Sequence, residues 1–566
     1  MRFTSVLLGC IVLCLLAGCS TSHYRAAADR EVANIIAAKG RAVPNMEPHF
    51  TIEQTNQVVL DGYPLLTNLT EFLGTTAETE RNAKVISLAQ ALDLAVAHSR
   101  IYQNNKESVY LQALSLTLAR HQFEPIFFGR SRADYQTITE EVRIGVDALT
   151  GEPKVLSGDA ALVEEHRLTG SGSTGVDWLL KTGARLSVAF TTDFLRYITG
   201  DPRAFSSSQV AATLVQPLWR GAGYKVAMEN LTQAERDLLY ALREFTRFQK
   251  DFSVQIATSY YRVLQTRDSA ANSWRGLQNF RKNVERERAC PAERRRTQAS
   301  LGLIQQSELT TEAGWINAIR AYKQSLDNFK IQLGLSTDAN IVLDPADLER
   351  LQIAHPDLSA EEAVKVALAT RLDLENARDE YEDATRKIAI AVNRLRPQVD
   401  LVASAGLGSE GNTRGGFAIP DIDRYHWSAG LNLDLPFERT AERNAYRAAF
   451  ITQARAARGL EQTEDQIKLQ VRDDWRNLDQ AKRSYEIAEM GVALSQRRLE
   501  EEELRAQVGR GTARDLVDAQ NDLIRSKNDR TQALVGHTVA RLQFWSDMGV
   551  LVIKEHGQWE EINHAK

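Results

Sequence analysis

The sequence carries the same series of structural landmarks twice, and this duplication limits the possible folds more than any other feature. Each half opens a helical pattern at a serine, Ser87 or Ser359, which Gln90 or Glu362 follows three residues later. A serine and a Gln or Glu at this spacing form a capping box. A proline stands at the same distance after each serine and ends the helical pattern.

Later landmarks recur in the same order. A very long helical pattern follows Pro217 and Pro436, reaches a turn containing glycine, and continues into a helix that ends at Gly334 or Gly549. Each half therefore reads as helix, strands, long helix, turn and helix. We predict a first repeat over residues 87–350 and a second over 351–550, with a C-terminal tail at 551–566.

The helical patterns have matching lengths. The run 441–507 contains no proline and would extend about 100 Å as a helix. The shorter patterns at 303–333 and 359–395 together match it, as do those at 87–124 and 512–547. Four columns of equal length, with narrow apolar seams between charged faces, indicate an elongated hollow bundle. The alternative, a solid coiled-coil dimer, does not explain the strands.

The predicted strands alternate apolar and polar residues. Trp427, Leu431 and Leu433 alternate with polar residues such as Ser428 and Asn432. The apolar face would form the core of a soluble sandwich, whereas in a membrane barrel it faces lipid while the polar face lines a lumen. We favour the barrel over the sandwich.

The first half has room for more strands than the second. Strands are predicted near 125–138, 166–179, 184–195 and 207–218, with loops at 140–165 and 196–206, and one further hairpin between Pro397 and Pro436. This gives six strands per chain. In the alternative, four strands cross the membrane and the extra hairpin folds over the barrel mouth.

The N-terminus predicts export and lipidation. The apolar run 6–16 follows Arg2 and ends at Leu16-Ala17-Gly18-Cys19-Ser20, which resembles a bacterial lipobox. We predict a lipoprotein signal peptide at 1–18, acylation of Cys19 and a lipidated periplasmic segment at 19–86. Ser20 suggests sorting to the outer membrane. The alternative is ordinary signal cleavage beside an incidental cysteine, and Cys290 is predicted to have no function.

Composition and motifs exclude several classes of protein. The formal charge of −5 gives no basic field for nucleic acid, and beyond the N-terminus no uncharged apolar run is long enough for a membrane helix. No HExxH, CxxC or GxSxG pattern is present, and the five Met do not cluster. We therefore predict no enzyme activity, no cofactor and no metal site.

Two segments carry a family resemblance. Residues 508–520 resemble the turn-and-helix signature of the TolC-like outer membrane efflux proteins, and residues 217–223 resemble the longer members of that family. The resemblance implies an α+β membrane protein in which a long antiparallel α-helical barrel continues a transmembrane β-barrel, as a homotrimer in the outer membrane. The expanded first strand region and the long segment 20–86 depart from the family pattern.

The resemblance also implies a function and partners. It implies an outer-membrane exit duct of a tripartite efflux or type I secretion system, passively conducting substrates from an inner-membrane transporter through a periplasmic adaptor. The alternative is a non-conducting structural lipoprotein. The exported substrate is not readable from the sequence.

Site residues follow from the same resemblance. The adaptor-contact tips are Leu301, Gly302, Leu303, Val508, Gly509, Arg510 and Gly511, and the alternative is that these glycines are only structural. The periplasmic gate is Asp515 and Asp518 with Arg510 and Arg514. The alternative is that both Asp residues are solvated and stabilise the helix N-terminus.

Overall fold

The computed structural model describes most of the chain, in two units. It describes residues 20–47, 50–53, 60–67, 70–142, 144–146, 153–155, 161–197, 204–289, 298–411, 418–508 and 510–559. A helical unit comprises Met1–Ala113, Leu238–Asp379 and Ala457–Lys566, and a sheet unit comprises Leu114–Asp237 and Glu380–Ala456. Each unit is described separately below.

Helices account for most of the described residues. The α-helices are α1 (Thr21–Gly40), α2 (Leu88–His98), α3 (Arg100–His121), α4 (Tyr224–Ala227), α5 (Glu229–Ala289), α6 (Gln298–Gln332), α7 (Ala346–Glu349), α8 (Ala360–Thr370), α9 (Leu372–Arg394), α10 (Thr440–Gln507) and α11 (Ala513–Asp547). The 68 residues of α10 confirm the longest predicted helix. Within the described part of the chain, every helix is too short or too polar to span a bilayer.

The strands form one large sheet and two small ones. They are β1 (Lys84–Ile86), β2 (Ile126–Val142), β3 (Ile144–Val146), β4 (Pro153–Val155), β5 (Ala161–Leu179), β6 (Arg185–Tyr197), β7 (Ala204–Pro217), β8 (Ile341–Leu343), β9 (Gln398–Ser409) and β10 (Pro420–Asp434). The large sheet has six strands in the order β10-β9-β7-β6-β5-β2, and every neighbouring pair is antiparallel.

The capping boxes at the start of both repeats are confirmed. The Ser87 side chain accepts a hydrogen bond from the Gln90 backbone N–H, and the Gln90 side chain accepts one from the Ser87 N–H. Ser359 and Glu362 make the same reciprocal pair. Each box satisfies N–H groups that the first helical turn leaves without intrahelical partners.

The two helices that follow these boxes are each broken, whereas the sequence predicts continuous helices at 87–124 and 359–395. The breaks fall at Ser99 and Arg371, at the same distance from the capping serine in both halves, and both residues are in extended conformation. Neither position carries the glycine or proline that usually marks a helix end, so the local pattern holds no sign of the break.

Tertiary packing accounts for the breaks. Gly334 and Gly549 adopt left-handed conformations with φ of +80° and +77°. A β-carbon at Gly334 would lie 2.0 Å from the His98 carbonyl oxygen, and one at Gly549 would lie 2.9 Å from Thr370 Oγ1. In both halves, the glycine after the last helix therefore lies directly against the end of the first helix of that half, α2 or α8.

The six strands of the large sheet confirm the higher of the two predicted strand counts. Two of the strands are longer than predicted: β2 and β5 both extend into the region 140–165, which was expected to be a loop. β3 and β4 form a small antiparallel hairpin in the same region. The expected loop at 196–206 is shortened in the same way, since β6 reaches Tyr197 and β7 begins at Ala204. A short turn joins β5 to β6 at Gly183, which has φ of +92°.

The N-terminal segment, for which no secondary structure was predicted, packs within the helical unit. β1 pairs in parallel with β8. A 3₁₀ segment, Glu71–Glu80, lies on α6, where the Trp315 indole N–H donates to the Phe72 carbonyl at 2.7 Å and the Tyr322 hydroxyl donates to Glu80 at 2.9 Å. These contacts attach the segment to the end of the first repeat.

Candidate functional site

The large sheet has one continuous apolar face. Residues paired across antiparallel strands lie on the same side of a sheet, so the pairings can be followed from one edge to the other. One such row is apolar on all six strands: Trp427, Ala405, Ala212, Val188, Val176 and Phe127, from β10 to β2. The side chains of Phe127 and Trp427 are 82% and 72% exposed. Nothing among the described residues of the sheet unit covers this row.

The opposite face is mainly polar. The adjacent row reads Ser428, Ser404, Thr213, Ser187, Asp177 and Ile126. Hydrogen bonds cross the strands on this face, since the Ser404 and Ser428 hydroxyls lie 2.7 Å apart and the Ser187 hydroxyl donates to Asp177 at 2.6 Å. The sheet can therefore separate an apolar medium from water.

The second predicted tip is a tight turn between α10 and α11. The backbone N–H groups of Arg510 and Gly511 donate to the Arg505 carbonyl at 2.9 and 3.0 Å. A β-carbon at Gly511 would lie 2.9 Å from the Ala506 nitrogen, so this position requires glycine. Val508 is exposed beside the turn. The structure confirms a helix–turn–helix here but does not test its contact with an adaptor.

The predicted gate residues lie at the start of α11. Thr512 is the N-cap and accepts from the Asp515 backbone N–H at 3.2 Å, while its hydroxyl donates to the Asp515 carboxylate at 2.5 Å. Asp518 lies 4.0 Å from the exposed Arg514 guanidinium. The Arg510 side chain makes no ion pair with the described residues.

Packing explains why both carboxylates face outward. Leu516 and Ala519 pack against Leu499 of α10, whereas Val517 packs against Phe280 and Ile304 of α5 and α6. These contacts leave Asp515 and Asp518 exposed on the remaining face. Asp522, which the sequence analysis did not select, continues this stripe and pairs with Arg498 at 2.5 Å.

The first predicted tip is placed incorrectly. Leu301, Gly302 and Leu303 lie inside α6, which begins at Gln298, so Gly302 does not form a turn. A β-carbon at Gly302 would have no described heavy atom within 4 Å. The error arose because a glycine in an exposed helix was interpreted as a turn residue. The connection from Ala289 to Gln298 crosses 290–297, which lie outside the described residues, as do Cys290, Gly509, Cys19 and the predicted signal peptide 1–18.

A buried charge cluster that was not predicted lies at the break between α8 and α9. Arg371 is 6% exposed. Its guanidinium donates to the Asp373 carboxylate at 2.7 and 3.0 Å, to Gln470 at 3.0 Å and to the Asp547 carbonyl at 3.2 Å. The Asp547 carboxylate accepts from the amides of Gln470 and Gln543, each at 2.6 Å. Gln470 and Asp547 lie far from Arg371 in sequence, so no local motif predicts the cluster.

Burial shifts the pKa values of several groups in this cluster. Burial, together with the neighbouring charge of Asp547, raises the pKa of Asp474 to about 7. Burial also raises the pKa of Asp251 and lowers that of Lys250. Burial opposes ionisation of Asp373 as well, but the hydrogen bonds from Arg371 and the charges of Arg371 and Arg247 together outweigh this effect and lower its pKa. No group of three or more potential metal ligands was found in the described part of the chain.

Comparison with known proteins identifies part of the chain directly. A family model described as outer membrane efflux protein matches residues 363–539, which lie within the predicted second repeat. The chain carries an outer membrane efflux protein domain. This confirms the resemblance found in the sequence. A search of curated protein sequences found no significant match.

Solved structures share the fold of this chain over most of its length. A membrane protein from Pseudomonas aeruginosa is 14% identical, with a TM-score of 0.59, covering 88% of this chain and 99% of its own. The open-state MtrE outer membrane channel of Neisseria gonorrhoeae is 14% identical, with a TM-score of 0.56, covering 82% of this chain and 89% of its own. The CmeC outer membrane channel of Campylobacter jejuni is 12% identical, with a TM-score of 0.55, covering 92% of this chain and 96% of its own.

Proposed function

We propose that the chain forms the outer-membrane exit duct of a tripartite efflux or type I secretion system, and conducts substrates passively after an inner-membrane transporter delivers them through a periplasmic adaptor. The observation that carries this proposal is the large sheet, which is apolar across one face and mainly polar across the other. The outer membrane efflux protein domain at residues 363–539 supports the same assignment.

The apolar face favours lipid over a second protein layer. Phe127, Trp427 and Leu431 project from this face and are at least two-thirds exposed, whereas a sandwich would bury them against another sheet. An outward apolar band with a polar interior is the pattern of transmembrane β-barrels. The polar row then lines water, which favours a conducting duct over the non-conducting structural lipoprotein.

The sheet edges favour assembly from several copies. β2 and β10 are the edge strands of a six-stranded antiparallel sheet, so they run in opposite directions. Unpaired backbone groups are costly in lipid, so β2 of one copy pairs antiparallel with β10 of the next. In the homotrimer proposed here, three sheets close into an eighteen-stranded barrel, a size at which barrels hold an aqueous channel.

The remaining elements complete the proposed architecture. The helices form an α-helical barrel that extends into the periplasm, built from two internal repeats. Gln470 lies as many residues after Gln255 as Gly549 lies after Gly334. This equal spacing supports the two repeats. The turn at Gly511 contacts the adaptor, and Asp515 and Asp518 line the periplasmic gate. The protein has no catalytic role.

Anchoring in outer-membrane lipid adds a second attachment. We propose that Cys19 is acylated after removal of residues 1–18. Metabolic labelling with a radioactive fatty acid should mark the wild type but not Cys19→Ala. Absence of label from the wild type would contradict acylation.

Conductance tests the duct directly. Purified full-length protein reconstituted in a planar lipid bilayer should produce stepwise ion currents. Pairs of cysteines, one on β2 and one on β10 of the same chain, should form disulfides between neighbouring copies under oxidising conditions and give covalent trimers. Trimers that insert without conducting would support the structural lipoprotein instead.

A further inference from the structure

Two carboxylates, those of Asp474 and Asp547, belong to the same charge cluster in the helical unit. Asp474 Oδ2 on α10 is fully buried and has no hydrogen-bond donor among the described residues. Gln470, one helical turn before Asp474 on α10, donates to the Asp547 carboxylate at 2.6 Å, so Asp474 lies on the face of α10 that meets Asp547 of α11. Asp547 is 3% exposed, and its charge acts on Asp474. Two ionised carboxylates cannot hydrogen-bond to each other, because both only accept. A proton shared between them removes this conflict.

The charges around the pair support the same conclusion. Arg371 at the helix break is the cation that acts on Asp474, and Arg247 and Lys250 on α5 are the other cations of the cluster. The carboxylates are Asp251 on α5, Asp373 on α9, Asp474 and Asp547. Arg247 pairs with Asp373 and Asp251, and the Lys250 ammonium donates to the Gly549 carbonyl at 2.7 Å. Three cations and four carboxylates leave one excess negative charge, which one shared proton neutralises.

Neighbouring groups do not supply the missing charge. Ser546 on α11 donates to Asp251 at 2.9 Å, and Gln470 and Gln543 are neutral. Asp473, next to Asp474 on α10, is half-exposed and pairs with Arg476 at 2.8 Å. Arg476 therefore balances the charge of Asp473, and the excess negative charge remains.

We propose that Asp474 and Asp547 form a proton-operated latch that holds the break between α8 and α9 against α10 and α11. Asp547 is the last residue of α11, and its carbonyl and carboxylate bind Arg371 and Gln470. When the shared proton leaves, the two negative carboxylates repel each other and Asp547 is drawn away from these partners. The contact of Thr370 with the Met548 carbonyl, at 2.6 Å, loosens with it.

The proton itself sets the pH range of the latch. Asp474 binds a proton more readily in the folded protein than in the unfolded chain, because its folded pKa of about 7 exceeds the ordinary value of 3.8. The stabilisation is therefore complete at acid pH and is lost as pH rises towards and through 7. The latch belongs to the helical unit and does not rest on the proposed duct function.

Hydrogen exchange on the purified full-length protein tests the latch. Exchange is measured at pH 6.0 and 8.5, with labelling times scaled for the intrinsic chemical rate. In the wild type, peptides covering 367–375 and 544–551 should lose about tenfold protection at the higher pH. In Asp474→Asn the side-chain amide replaces the shared proton, so protection should be the same at both values.

A matched variant provides the control. Asp465→Asn removes an exposed carboxylate from the same helix, one that pairs with Lys468 at 3.0 Å, and should behave as the wild type. Equal protection of the wild-type peptides at both pH values would overturn the latch, and this result does not depend on any variant folding. An unchanged loss of protection in Asp474→Asn would overturn it as well.

Discussion

Gly334 and Gly302 differ in backbone conformation and in the space around them. Gly334 has φ of +80° and touches the His98 carbonyl, whereas Gly302 is helical and faces open space among the described residues. Gly334→Ala should therefore lower the free energy of unfolding by about 3 kcal/mol or more, from backbone strain and collision combined. Gly302→Ala should instead raise it by about 0.5–1 kcal/mol. Denaturant unfolding in detergent measures both changes, and a destabilised Gly302→Ala would favour the turn that the sequence predicts there.

His537 gives the helical unit a sensitivity to acid. Its ring is fully buried. Burial, with the charges of Arg541, His355 and Lys482, lowers its pKa from 6.5 to about 4. Between these values the unfolded chain binds the extra proton, so stability is complete above pH 6.5 and falls as pH drops through this range, by at most about 3 kcal/mol.

Replacement of the ring should remove this pH dependence. Melting temperatures between pH 7 and 4.5 should fall less steeply in His537→Gln than in the wild type. His121→Gln, which replaces an exposed histidine paired with Glu124, should leave the slope unchanged. Equal slopes in all three proteins would exclude His537 as the source.

Single residues differ in how far the sequence predicts them. Ser87 and Ser359 were predictable because a capping box is written within one short stretch of chain. Arg371 was not, because its role depends on Gln470 and Asp547, which approach only in the folded chain. The positions of Asp515 and Asp518 on one exposed helix face followed from their spacing. The hydrogen bond that the Asp515 carboxylate accepts from Thr512, the N-cap of α11, did not.

At the scale of elements, β10 provides a test of the membrane assignment. Leu431 lies on the apolar face, paired with Leu401, and the next residue, Asn432, lies on the other face, paired with Asp400. Leu431→Arg should cost about 2–4 kcal/mol if its face meets the bilayer interior, whereas Asn432→Arg should be tolerated. The yield of heat-resistant trimers in isolated outer membranes measures the difference. Equal yields from the two variants would argue that neither face meets lipid.

The elements themselves were mostly predictable, and the exceptions share a cause. Alternation at period two located all six strands of the large sheet. The prolines located the helix ends that precede the strands. Strand ends were wrong in β2 and β5 because pairing between the two strands continues through residues that look like a loop. β1 and β8 were missed because both are very short, and their pairing joins segments that lie far apart in the sequence.

At the scale of the whole molecule, the proposed gate predicts ion selectivity. In a trimer, Asp515 and Asp518 of three copies would place six carboxylates around one opening, which favours cations. Asp515→Ala combined with Asp518→Ala should weaken cation selectivity and reduce block by divalent cations applied from the periplasmic side. Reversal potentials in a salt gradient measure this. Asp465→Ala serves as a control for simple loss of charge, and unchanged selectivity and block in the double variant would place these residues outside the gate.

The free edges of the six-stranded sheet have a consequence for how such a wall can change during evolution. A hairpin always adds two strands, so inserting one inside the chain leaves the directions of β2 and β10 opposed, as before. The circumference of the proposed barrel could therefore grow while the strand edges that each copy offers its neighbours keep their direction. Calibre and symmetry are thus separable traits. Hairpins inserted into the first repeat can change the calibre without disturbing the symmetry.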